Sequence, residues 1–214
     1  MRKIAWLCNV PLIYAAVPTL TQCASAPTAQ AARTSLYNGK LLFDYGNYDE
    51  AIEELNEAIG LVPNLAEAYA YRSWAYGRKN NNEQALPDAN MAIQLNPQLA
   101  LGYFARGRLQ SDNDRAIEDY TQAIRLDPYF PRFYYNRGNV HINKGDHDKA
   151  IADYDQALRL DPNLAEAYVN RGNAYGNKGD YDRAIADFEA ALRINPNYAN
   201  ARQNLENARR QQGR

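Results

Sequence analysis

PRFYYNRGNVHINKGDHDKAIADYDQALRLDPNL, residues 131–164, runs directly into AEAYVNRGNAYGNKGDYDRAIADFEAALRINPNY, residues 165–198, and the two segments agree at most positions. A self-similar period of this length is the mark of a repeat array, in which each copy is one supersecondary unit stacked on the next. Working outward, Pro63, Pro97, Pro128, Pro162 and Pro196 each follow an apolar helical stretch, at spacings of 34, 31, 34 and 34 residues. Five units result, with boundaries at 32–65, 66–99, 100–130, 131–164 and 165–198. Each holds two segments with helical spacing of apolar residues, joined by a polar turn such as Lys144-Gly145-Asp146-His147 or Lys178-Gly179-Asp180-Tyr181.

Placed in register, the units line up small residues where two helices must approach closely. One column reads Gly39, Ser73, Gly107, Gly138, Gly172; a second reads Ala51, Ala85, Ala116, Ala150, Ala184; a third reads Ala58, Ala92, Ala123, Ala157, Ala191. Bulky columns, Tyr69, Tyr103, Tyr134, Tyr168 and Leu55, Tyr120, Tyr154, Phe188, fill the space between. Most of the seventeen tyrosines are therefore packing residues. Three departures stand out: Ala89 occupies an aromatic column, Pro87 falls early in a second helix, where only the first turn tolerates it, and the third unit lacks three residues between Gly107 and Ala116. That deletion predicts a shortened first helix or turn in the third unit. After Pro196, the stretch 199–214 matches a first helix at Ala201 and Leu205 and is otherwise polar, which predicts a cap over the last apolar face.

In its order of small, aromatic and proline positions, complete at Tyr168, Gly172, Tyr175, Ala184, Phe188, Ala191 and Pro196, the array resembles the tetratricopeptide repeat (TPR) family. The resemblance implies an all-α fold, a right-handed α-solenoid of five helix-turn-helix units plus a C-terminal capping helix. It also implies a protein-protein interaction scaffold whose first helices line a concave groove for a peptide or protein. By that resemblance the groove carries Lys40, Tyr71, Trp74, Phe104, Arg108, Tyr135, Asn136, Asn139, Asn170, Asn173 and Asn177. Asparagine amides offer donors and acceptors to a peptide backbone, and aromatics give contact area at low entropic cost. Some family members clamp a terminal carboxylate with lysine, asparagine and arginine; here Tyr135 and Val169 stand where lysine is wanted.

Arg72, Arg106, Arg137 and Arg171 recur immediately before the small column, and Glu54, Asp88, Asp119, Asp153 and Asp187 recur in the second helices. Periodic, partly buried arginines need partners, because an unpaired buried charge is costly. The favoured pairing is with the acid of the preceding unit, since the first unit has no predecessor and holds Asn38 instead. Pairing within a unit competes with it.

No catalytic constellation is present in the sequence. His141 and His147 fill aromatic positions, no cysteine or clustered carboxylate completes a metal site around them, and Gly172, Gly176 and Gly179 follow no strand, so neither metal nor phosphate-binding cofactor is expected. Both cysteines, Cys8 and Cys23, lie in a leader over residues 1–31. There Arg2 and Lys3 precede an apolar stretch, 4–20, that is broken by Pro11 and Pro18 and too short for a comfortable membrane span. Export to the periplasm or cell envelope is the expectation. Two processing sites compete: removal after Ala29-Gln30-Ala31, or lipidation at Cys23 after Leu20-Thr21-Gln22, with the following Ala/Ser/Pro/Thr segment as a disordered linker. Without residues 1–31 the chain carries 22 basic and 25 acidic residues, and such a balance gives no electrostatic reason to expect nucleic acid.

Overall fold

The computed structural model of the chain describes residues 25–213. The apolar leader and Cys23 lie outside the described residues. Among those described there are eleven helices and no strand. They form five antiparallel hairpins: α1 (Ala26–Asp44) with α2 (Tyr48–Leu61), α3 (Ala66–Arg78) with α4 (Asn82–Leu95), α5 (Ala100–Gly107) with α6 (Asn113–Leu126), α7 (Pro131–Asn143) with α8 (His147–Leu160), and α9 (Ala165–Asn177) with α10 (Tyr181–Ile194). The cap is α11 (Ala199–Gln212). Each unit packs on the next, so the core is a row of small apolar clusters and not one central mass.

Local chemistry punctuates the array. Within a hairpin the chain reverses through a left-handed residue, Gly46 at φ +83°, Gly145 at +77° and Gly179 at +78°. The second unit uses Asn80 at φ +59°, and asparagine is among the few side chains that tolerate this region. Between units, the residue before each proline is forced out of helical geometry, with φ/ψ near −139°/96° at Asp127 and −130°/93° at Asn195. Where that residue is Asn or Asp, its side chain accepts the amide two residues on, at 3.0 Å in Asn96, Asp127 and Asp161 and 3.1 Å in Asn195.

The small columns do what their position requires. A Cβ added at Gly138 would stand 2.8 Å from the Tyr154 ring, at Gly172 2.8 Å from Phe188, and at Gly39 2.8 Å from Leu55. Each bulky second-helix residue lies flat on the glycine backbone opposite. Where the column reads Ser73, the partner is Ala89, and the Ser73 hydroxyl donates to the Ala85 carbonyl at 2.8 Å. The two exceptions to the repeat are thus one exchange of volume between facing positions. Alanines of the other two columns are 0–2 % exposed throughout.

The third unit shortens its first helix, eight residues in α5 against thirteen in α3, α7 and α9. Pro87 departs from expectation. It sits at the sixth position of α4, beyond the first turn, where it removes a helical hydrogen bond at a cost of about 3 kcal/mol. Its side chain is exposed, so burial does not repay that cost. The expected linker after Cys23 also differs: residues 26–31 are the exposed opening of α1, capped by Ser25, whose hydroxyl accepts from the Thr28 amide.

Arginine pairing is the clearest correction. Each arginine binds the acid of its own unit through both oxygens: Arg72 to Asp88 at 2.7 and 2.7 Å, Arg106 to Asp119 at 2.7 and 3.0 Å, Arg137 to Asp153 at 2.7 and 2.9 Å, Arg171 to Asp187 at 2.6 and 2.8 Å. The third guanidinium nitrogen reaches back to the preceding unit, to Asn56, Asn90, Thr121 and Asp155. In the first unit Asn38 donates to Glu54 at 3.4 Å, a weaker copy of the same bond. Above each arginine lies the tyrosine three residues earlier, with ring centroids 5.3–5.9 Å from the guanidinium carbon. Burial raises the Asp187 pKa against the pull of Arg171, a sign of what the carboxylate costs without its partner. The cap replays part of this stitching: Ala201, Leu205 and Ala208 are buried, and Arg202 donates to the Pro196 carbonyl as Tyr69 and Tyr134 do to Pro63 and Pro128.

Removing Arg137 strands the nearly buried Asp153, so Arg137→Ala is expected to cost on the order of 3 kcal/mol in urea unfolding. The Arg137→Ala/Asp153→Ala double variant should lose clearly less than the two single losses added together. Additive losses would mean that the pair is not coupled.

Candidate functional site

The first helices α1, α3, α5, α7 and α9, with α11 beyond them, run side by side, and two of their columns meet across each unit boundary. One column holds Lys40, Trp74, Arg108, Asn139 and Asn173; the other holds Tyr71, Ala105, Asn136, Asn170 and Asn204. Lys40 meets Tyr71, Asn139 meets Asn170 and Asn173 meets Asn204 across their unit boundaries. The wall they form changes chemistry along its length.

Its N-terminal part is aromatic and charged. Lys40 donates to Glu67 at 2.6 Å and lies 5.0 Å from the Tyr71 ring. Burial works against the Lys40 ammonium, but its bond to Glu67 wins and the pKa is raised. Trp74 lies tilted against Phe43 at 4.5 Å and meets Phe104 edge-on at 5.0 Å. Arg108, the C-cap of α5, rests over Trp74 and Phe104 at 5.7 and 5.9 Å. Phe104 itself is 1 % exposed and belongs to the core, which corrects its placement on the groove.

The C-terminal part is a ladder of amides. The Asn139 carbonyl accepts from Asn170 and from the Tyr154 hydroxyl, both at 2.8 Å, and Asn170 also donates to the Tyr135 hydroxyl at 3.3 Å. One unit on, Asn173 accepts from Asn204 of the cap at 2.8 Å. Asn139 and Asn173 therefore help join the units. Both keep their NH₂ groups without an acceptor among the described residues. They face a recess of ≈ 210 Å³ lined also by Ile142, Asn143 and Tyr154. Asn136 bonds the Arg132 carbonyl of its own helix at 2.8 Å, and Asn177 is exposed at the end of α9.

Sequence reasoning missed Asn204, whose register with Asn170 lay in a segment read only as a cap, and Asn143, which ends α7 as Asn177 ends α9. It also missed Leu101, Phe130 and Phe133, which with Tyr71 line a second recess of ≈ 330 Å³. Both histidines have a buried Nδ1 without a hydrogen-bond partner among the described residues. His141 is buried, with the Asp146 and Asp153 carboxylates 3.8 and 3.9 Å from its two ring nitrogens, and burial lowers its pKa against the pull of Asp153. Among the described residues no three His, Cys, Asp or Glu side chains converge to hold a metal ion, and no helix is long and apolar enough to cross a membrane.

Family models agree with this geometry. The "TPR repeat" model matches residues 39–80, 108–145 and 138–179, more than half of the chain, and the "Tetratricopeptide repeat" model matches 165–198. The chain belongs to the TPR family. Among solved structures it is similar to TTC0263, a thermophilic TPR protein of Thermus thermophilus, at 23% identity and TM-score 0.70, over 83% of this chain and 98% of that one. It is similar to MamA at 27% identity and TM-score 0.60, over 75% and 96% of the two chains. A third likeness, at 19% identity and TM-score 0.59 over 85% and 98%, is to YrrB, described as a TPR protein with an unusual peptide-binding site. A search of curated proteins found no match.

The amide ladder predicts unequal effects at equivalent positions. Asn139→Ala leaves the buried Tyr154 hydroxyl without its acceptor and should cost about 1–3 kcal/mol. Asn173 faces Phe188 instead of a tyrosine and loses only the bond from Asn204, so Asn173→Ala should cost about 1 kcal/mol or less. Equal losses in urea unfolding would refute the hydroxyl's role.

Proposed function

We propose that the chain is a non-catalytic scaffold that holds a peptide or protein partner along the wall formed by its first helices, and that it works in the cell envelope. The observation that carries the reading is a set of donors left over once the internal bonds are made. The NH₂ groups of Asn139 and Asn173 have no acceptor among the described residues, while their carbonyls are held by the neighbouring unit. An amide pinned at one end loses little freedom when its other end binds a backbone carbonyl. The half-buried Tyr71, Trp74 and Tyr135 supply apolar area beside them. A second reading, a recruiting module for an envelope enzyme or assembly complex, uses the same wall and differs only in what the partner does.

A photoreactive residue placed at Tyr135 or Asn177 should cross-link a bound partner, while one at Glu118, exposed on the second helix α6, should not. Adducts from Glu118 alone would move binding to the other face.

Anchoring through Cys23 is the processing branch we favour. It leaves the Ser25 cap and the whole of α1 in place, whereas cleavage before Ala32 removes the first six residues of the helix. Cys23→Ser is expected to release the protein from the membrane fraction without change in the repeats. A Cys23→Ser protein still sedimenting with membranes would reject lipidation.

A further inference from the structure

The first helix carries a face that its own unit does not use. Tyr37, Leu41 and Tyr45 are 64, 41 and 74 % exposed, and Thr34 beside them is exposed as well. These four occupy the columns through which later units join their predecessors. In the Thr34 column, Ala68, Gly102, Phe133, Ala167 and Ala201 are all buried, with Ala68 against Leu55 and Ala58, and Ala167 against Ala157 and Leu158. In the Leu41 column, Ala75 packs on Ala51 and Ile52, and Val140 on Ala116 and Tyr120. In the Tyr37 column, Asn170 and Asn204 bond Asn139 and Asn173. In the Tyr45 column, Lys79, Lys144 and Lys178 pair with Asp49, Asp114 and Asp148, each in the first turn of the preceding second helix. At this joint α1 is more apolar than the helices that use it, since Leu41 stands level with Ala75, Ala174 and Ala208, and Tyr45 with the three lysines. A contiguous exposed apolar stripe of this kind marks an interaction surface.

We propose that two copies of the chain associate through α1, packed antiparallel about a two-fold axis, with Tyr37 on Leu41 of the other copy and Arg33 beside Asp44 of the other copy. The charges of the stripe choose this occupant. A helix advances about 100° per residue, so the exposed Arg33 and Asp44, eleven positions apart, fall within about 20° of one another at opposite ends of the same face. Antiparallel pairing sets each against its opposite in the second copy, whereas parallel pairing sets like on like. A two-fold joint needs a surface that complements itself, and Arg33, Tyr37, Leu41 and Asp44 read as their own complement about a centre near Gly39. Head-to-tail stacking has no matching surface, because the other end of the array is finished by α11, which exposes Gln203, Glu206, Asn207 and Arg210. Nineteen residues make α1 about 28 Å long, and one helix face of that length buries less than the standard ~800 Å² per partner, so the dimer dissociates in the micromolar range. The pairing does not depend on what the first-helix wall binds.

The test is sedimentation velocity of the full chain carrying Cys23→Ser, so that no lipid anchor contributes, over a concentration series. A reversible monomer-dimer equilibrium is expected. Leu41→Lys should leave the protein monomeric, and because the side chain is exposed its helical circular dichroism should stay unchanged. Arg33→Asp places acid against acid and should weaken the dimer about tenfold or more, while Arg33→Asp/Asp44→Arg restores it. A monomer at every concentration overturns the proposal, whether residues 1–24 or another protein covers the stripe. So does a dimer indifferent to Leu41→Lys, or a charge exchange that restores nothing. Pelleting of the monomeric protein with anionic phospholipid vesicles, abolished by Leu41→Lys, would assign the stripe to a lipid surface instead.

Discussion

The distance between the two helices of a hairpin governs everything else in this molecule. A ring or a leucine packs directly on a glycine backbone in four of the five units, with no room for a single added carbon at Gly39, Gly138 or Gly172. That approach brings the guanidinium, one residue before the glycine, against the carboxylate one residue before the ring. The Arg-Asp pair is therefore a consequence of close packing, and it also rewards it, since a wider hairpin would strand two charges in a poorly hydrated seam. The second unit keeps the same distance by different means, moving volume from Ala89 to Ser73 and replacing a ring contact with a hydrogen bond.

The ladder also shapes the exposed wall. Each arginine spends two nitrogens inside its unit and one on the unit before, so the cations nearest the core are consumed by the architecture. What remains on the first helices is chemistry that the fold does not use: the free halves of Asn139 and Asn173, and the Arg108 guanidinium over Trp74. Lys40, Trp74 and Arg108 lie on the units before Asn139 and Asn173, so the wall changes character along the array.

Two of the three departures from the repeat, Pro87 and the deletion, fall in adjacent units. The deletion in the third unit ends α5 early and turns Arg108 into a cap, while Pro87 interrupts α4 of the neighbouring unit without any compensating burial. A shortened first helix was legible from two fixed columns too close together. The consequence for Arg108 was not, because in the other units that position lies in mid-helix.

The sequence by itself determined the period, the five hairpins, the cap, the small columns and the shortened third unit, because these depend on which residue types recur and on local backbone chemistry. Tertiary structure decided the neighbours. Asp88 and Glu54 are almost equally distant from Arg72 along the chain, and only the crossing of the helices chooses Asp88. Phe104 reads as a groove residue by column, yet the rings of Trp74, Tyr120 and Phe133 close over it. Asn139 reads as a free surface amide, yet Tyr154 and Asn170 hold its carbonyl. A column records that a position recurs; which side chains meet there depends on three-dimensional packing, and that is what sets the chemistry of the wall.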